Sequence, residues 1–296
     1  MPAIRRSHTV WKNYLRSWSN NDQVYCLQNG RIFPSNIINM SVERDFYKLL
    51  KLTDQDIEGI KSIINGSPLV SQKFFQELLF KFSTIPYLVD YAFSDPTMDM
   101  TLRDYIEEQV FNAAESLHSS IEFNALPIFD DLKNKDISFY DDGLKSVSFL
   151  SFISVQYFRT KGIQRRVFEK KFPLINIENC WNILRIILGM NLGFSLFVVR
   201  KKRPLILIEN TTNVPFITSD QPVINLFSLP EANQHLALYY PISPSLALIL
   251  GESDVCCGFE NGSLTEEKVL ELNRKIQSFA ELQIYGHSEE VLLLLN

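Results

Sequence analysis

Five polar side chains stand beside or inside runs that are otherwise apolar or aromatic, where an unpaired polar group is costly and so needs a partner or a task. His8 leads into Trp11 and Tyr14, Glu43 into Phe46 and Tyr47, Gln156 and Arg159 follow Phe149, Leu150, Phe152 and Ile153, and Asp220 ends the run Phe216-Ile217-Thr218-Ser219 before Pro222. Gathered in one cleft, this set suits phosphodiester hydrolysis. His8 would act as general acid or base, or ligate a metal; Glu43 and Asp220 would hold a divalent cation, magnesium or manganese, or position water; Arg159 would bind a phosphate. Gln156 and Arg159 are three apart on a helical pattern and share a face. Each residue also has a purely structural reading: a capping histidine, a helix-dipole carboxylate, a buried ion pair, and a turn-forming aspartate whose side chain bonds backbone. A third alternative is a non-catalytic sensor or binding protein that uses the same pocket to recognise a nucleotide.

Familiar catalytic signatures do not support a choice among these. The sequence has no phosphate loop, dinucleotide fingerprint, G-x-S-x-G elbow, H-E-x-x-H or kinase motif. Cys26, Cys180, Cys256 and Cys257 lack C-x-x-C spacing, so a structural zinc site is not expected, and free thiols point to a reducing, cytoplasmic setting. No apolar h-region follows Arg5 and Arg6, so no secretory signal is expected. The clusters Arg5-Arg6, Lys161 with Arg165, Arg166, Lys170 and Lys171, and Arg200 to Arg203 would guide nucleic acid by charge or serve as solvated faces.

The elements that must position these residues follow from periodicity and punctuation. Val24–Leu27 and Arg31–Phe33 flank Asn29-Gly30, the strongest short-range hairpin signal. Ser41 is an N-cap candidate before Asp45–Leu50, and Thr53 caps a helix over Asp54–Ile64. From Ser71 to about Gly189 the apolar spacing is helical, with interruptions expected at Pro86, Asp95-Pro96, Asn134–Gly143 and Pro173. Ile183–Val199 imitates a membrane span but contains Arg185 and Asn191; the better account is a buried helix over Asn176–Met190 and strands at Phe194–Arg200 and Leu205–Asn210, with no membrane partner. Further strands are expected at Pro215–Thr218, Val223–Leu226 and Leu236–Gly251, and a final helix from Thr265 to about Leu282.

The 296 residues carry 22 Phe, 11 Tyr and 3 Trp, are 46% hydrophobic, and have a net charge of −5. That composition fits a folded chain and excludes a disordered segment, a disulfide scaffold or a uniformly basic surface. The expected architecture is α+β: one domain over 1–296, with an N-terminal hairpin segment (1–50), a helical region (51–193) and a β-rich region with a C-terminal helix (194–296). The helices would pack on a mixed or antiparallel sheet formed by the hairpin and the C-terminal strands.

Taken together, His8 with Tyr14-Leu15-Arg16, the Glu43–Tyr47 segment, Gln156-x-x-Arg159-Thr160, Thr218-Ser219-Asp220-x-Pro222 and Tyr240-Pro241-Ile242-Ser243-Pro244 resemble the DUF4238 family of bacterial proteins. The resemblance spans nearly the whole chain, although Trp11 and Ser7 stand where the family tends to carry Pro and a second His. It implies that Tyr14, Arg16 and Ser219 join Gln156 and Arg159 in binding substrate. Some members occur among anti-phage defence genes, which implies a defence role: a nuclease acting in infection, or a sensor of a phage component.

Overall fold

The structure is a computed structural model describing residues 2–170, 172–227, 235–252, 256, 259 and 264–295; Lys171 and Cys257 lie outside these. It is α+β, a helical middle between strands from both ends. The N-terminal part holds β1 (Arg6–His8), a short helix α1 (Lys12–Leu15), the hairpin β2 (Gln23–Gln28) and β3 (Arg31–Asn36), and β4 (Val42–Arg44). Asn29 and Gly30 have φ of 51° and 72°, the two left-handed positions that a two-residue hairpin turn requires. The helix expected over Asp45–Leu50 does not form. Ser41 and Asp45 take φ of 49° and 58°, which no helix accommodates, and β4 between them pairs antiparallel with β1, setting Glu43 opposite Ser7.

Helix α2 (Asp54–Asn65) starts where Thr53 directs: its hydroxyl accepts from the Asp56 N–H while the Asp56 carboxylate returns to the Thr53 N–H. Helices α3 (Leu69–Ser94), α4 (Met100–Lys133), α5 (Gly143–Arg159), α6 (Lys161–Phe168) and α7 (Ile177–Val199) follow, with breaks at Asp95-Pro96, residues 134–142 and Pro173 as expected. Pro86 does not interrupt α3; the burial of Phe75, Leu78, Leu79, Phe82 and Ile85 along that helix offsets the lost backbone hydrogen bond.

The strand expected at Phe194–Arg200 is also absent, because α7 continues to Val199. A Cβ at Gly189 would stand 2.9 Å from Val155 Cα, and one at Gly193 2.7 Å from Ser151 Cα. The two glycines thus let α7 lie backbone against backbone on α5, and that packing overrides the β propensity of the Phe194–Val199 stretch. The stretch Ile177–Lys202 is long and apolar enough to cross a membrane. Here Trp181, Ile183, Leu184, Ile186 and Ile187 are buried in the core with Val155 of α5 and Tyr47.

The C-terminal third supplies β5 (Leu205–Glu209), β6 (Thr218–Ser219), β7 (Ile224–Asn225), β8 (Leu238–Ser243), β9 (Leu246–Leu250), α8 (Glu266–Phe279), β10 (Ile284–Gly286) and α9 (Glu289–Leu293). The hairpin meets the C-terminal strands in an antiparallel sheet of order β3-β2-β10-β6, and a second antiparallel sheet runs β5-β9-β8-β7. Trp11, Trp18, Phe129, Phe149, Phe152 and Tyr240 fill the core between helices and sheets.

Candidate functional site

The joint between α5 and α6 brings several of the sequence-predicted segments together. Arg159, the last residue of α5, donates to the His8 carbonyl and pairs with Glu122 of α4. Thr160 donates to the Gln221 side chain at 2.7 Å, and Lys161 stands 2.5 Å from the Glu43 carboxylate. His8 Nδ1 lies 3.1 Å from the Met40 carbonyl; next to it, the Ser41 N–H donates to Gln283 Oε1 at 3.0 Å, and Gln283 N–H donates to Asp220 Oδ2 at 3.1 Å. Hydrogen bonds and the Met40–Ser41 peptide therefore join His8 to Asp220 through Met40, Ser41 and Gln283, none of them a predicted site residue.

Most of the predicted polar groups are consumed by this network. The Asp220 carboxylate, 7% exposed, accepts from the backbone N–H groups of Glu281, Leu282 and Gln283 at 2.9, 2.7 and 3.1 Å. Burial raises its pKa against the pull of those three donors. The Ser219 hydroxyl, expected to bind substrate, donates to the Gln221 carbonyl and accepts from the Gln221 N–H, closing the turn. Tyr14 is buried with its hydroxyl 2.6 Å from Thr218 Oγ1 and donating to the Pro241 carbonyl at 2.7 Å. Arg16 leaves the site altogether; its side chain is 56% exposed and faces Asp22 at 3.6 Å. Among the described residues no group of three or more His, Cys, Asp and Glu is placed to hold a metal. Glu43 faces Lys161 and Asp220 faces backbone donors, so the pair is not arranged as a cation site. Arg165, expected to guide nucleic acid, is paired with Glu169 and Glu281, each at 2.8 Å.

Directly behind Arg159 lies a different environment. Arg185 of α7 is 1% exposed, and its Nε, Nη1 and Nη2 have no hydrogen-bond partner. Its guanidinium carbon sits 4.4 Å from the centre of the Tyr47 ring and 4.7 Å from that of Phe46, held by cation–π contact. Tyr47 also meets the His118 ring, centroids 4.6 Å apart, and Arg159 at 5.7 Å. The Tyr47 hydroxyl, both ring nitrogens of His118, Arg159 Nε and Gln156 Nε2 are all buried and, among the described residues, without a hydrogen-bond partner, while Ser7 acts as a hydrogen-bond donor toward Glu115. Buried polar atoms of this kind are few in a folded protein, and the cluster that Arg159, Arg185 and His118 form about the Tyr47 ring, with Gln156 one turn before Arg159, is a polar chamber with unused hydrogen-bonding capacity.

Charge in the chamber is unevenly compensated. Burial opposes the Arg159 charge, but Glu122, Tyr47 and Glu115 outweigh it and hold its pKa above the ordinary arginine value. Arg185, with no such pair, is pushed down to about 10 by burial, Arg159 adding to the effect. Burial, together with both guanidiniums, holds His118 well below its usual value and hence neutral, and burial raises Glu115. His8, at the chamber's edge, is lowered chiefly by burial. Above the chamber lies β1, strapped down by the Ile4 N–H to Asn112 Oδ1 at 2.7 Å, the Thr9 N–H to the Ser41 carbonyl at 2.7 Å, and the Arg5–Asp45 ion pair.

Of the predicted set, His8, Gln156 and Arg159 belong here or at the edge; Tyr47, Glu115, His118, Glu122 and Arg185 were not singled out as site residues. Two signals for them were present. Glu115, His118 and Glu122 recur at spacings of three and four on one helix, hence on one face, and Arg185 interrupts the most apolar stretch of the chain. In comparison with known proteins, a family model described as a protein of unknown function, DUF4238, matches residues 6–177 and 195–290. No curated protein and no solved structure matches the chain.

Proposed function

Because the chain belongs to the DUF4238 family, a family of unknown function, we propose its role from the chamber: it is a binding protein that recognises an anionic ligand, a nucleotide or a phage component. The setting we propose is phage defence in the bacterial cytoplasm. The observation that carries the binding role is the contrast in occupancy between anions and cations. Hydrolysis through magnesium or manganese needs carboxylates open to the metal, whereas Glu43 faces Lys161 and Asp220 is saturated by three N–H groups. The free capacity is on the donor side, in Arg185, Tyr47 and Gln156. Buried, unsatisfied guanidinium groups are suited to holding an anion.

Challenge of cells with a phage panel tests this, comparing the intact gene with Arg185→Met and Glu43→Gln at matched soluble protein. Arg185→Met is expected to abolish protection and Glu43→Gln to keep it. Loss of protection in Glu43→Gln at normal protein level would favour the nuclease instead. A wild-type gene that protects against no phage would remove the defence setting and leave the binding role to be judged in vitro.

A further inference from the structure

We propose that the chamber around Tyr47 is the seat of a phosphoryl group, presented by a phosphate monoester or as free phosphate, with Arg185 as its principal ligand. This rests on the anion-binding role and goes further by fixing the place and the chemistry. The first ground is charge. Arg159 already has Glu122 against it, whereas no carboxylate lies within ion-pair distance of Arg185 among the described residues. A guanidinium 1% exposed and held only by ring faces, with no ion-pair partner, is unfavourable, and an anion that reaches it makes its burial favourable.

The second ground is direction. Unpaired donors come from Tyr47 in the segment after β4, His118 on α4, Gln156 and Arg159 on α5, and Arg185 on α7. A planar carboxylate would be saturated by one edge of Arg185 and leave most of the others unpaired. A tetrahedral group with three or four oxygens can accept from several sides at once. Glu115, which Ser7 faces, fits the same ligand when it carries a proton and donates. Burial raises the Glu115 pKa, which favours that form.

Thermal unfolding of the full chain tests the proposal, with inorganic phosphate, ATP and acetate added at ionic strength matched by chloride. Phosphate is expected to raise Tm by about 5 °C at a hundredfold excess over its Kd, with acetate far behind. Arg185→Met is expected to keep or raise the ligand-free Tm, since it replaces a buried charge with an apolar chain, and to lose the phosphate shift. Tyr47→Phe removes a hydroxyl that has no partner in the empty fold, so it should leave the ligand-free Tm in place and weaken phosphate binding about tenfold; it serves where Arg185→Met does not fold. A shift by ATP alone, lost in Arg185→Met, assigns the phosphoryl group to a nucleotide and supports the proposal. An equal shift by acetate, also lost in Arg185→Met, leaves anion binding standing and overturns the phosphoryl assignment. A phosphate shift that survives both variants places binding elsewhere and overturns the site. No shift by any anion overturns the site and the binding role together.

Discussion

The Asp220 turn and the Tyr47 chamber are made of the same ingredients, polar side chains enclosed by aromatic and aliphatic neighbours, and they end in opposite states. At the turn, every oxygen of Asp220 and the hydroxyls of Ser219 and Tyr14 are matched, largely by backbone. In the chamber, five residues, Tyr47, His118, Gln156, Arg159 and Arg185, keep buried atoms without a hydrogen-bond partner among the described residues. A satisfied network holds segments in register, here β6 against the residues before β10; an unsatisfied one has free capacity that a ligand can fill. A polar residue in an apolar run is therefore only half a signal. The other half is whether the fold has already used its hydrogen-bonding capacity.

The largest test of that contrast is Asp220→Ala, which orphans three backbone N–H groups and is expected to cost about 4 kcal/mol, read as a lower denaturation midpoint or a loss of soluble protein. A variant as stable as the wild type would break the comparison. Next comes pH. A histidine lowered in the fold contributes stability that is complete above its ordinary value of 6.5 and is lost as pH falls below it, as the unfolded chain takes up the proton that the chamber refuses. His118, facing Arg159, Arg185 and Tyr47, should thus make the protein lose about 1.4 kcal/mol for each pH unit below 6.5, until its folded pKa is reached, with His8, also lowered by burial, adding to the slope with the same sign. His118→Gln should flatten that slope in urea titrations at pH 7.5, 6.5 and 5.5. Asp220, raised from 3.8, acts with the opposite sign and in the carboxylate range, outside this window. The smallest effect is Tyr14→Phe, which leaves Thr218 and the Pro241 carbonyl unpaired and should cost about 1 kcal/mol with no change in phosphate binding.

Local rules made much of the fold legible. Asn29-Gly30 specified the hairpin, Thr53 the start of α2, and the apolar spacing the helical middle. What failed was decided by contacts between distant segments. The β propensity after Phe194 yielded to α5 because Gly189 and Gly193 permit close approach, and Ser41–Leu50 became a strand and turns because β1 lies beside it. The site was legible at Arg159 and Gln156, which sit one turn apart on one helix. Arg185 and the Glu115–His118–Glu122 face approach Tyr47 only through tertiary packing, and no spacing rule joins helices that far apart in the chain.

The strap formed by β1 also sets a clock. A phosphate seated as proposed would have to pass Ser7 and His8, so the observed association rate would level off at high ligand concentration, at the rate at which β1 lifts. Release waits on the same movement. The Arg5–Asp45 pair and the Asn112 clasp on Ile4, which hold that segment down, would then set how long the ligand stays.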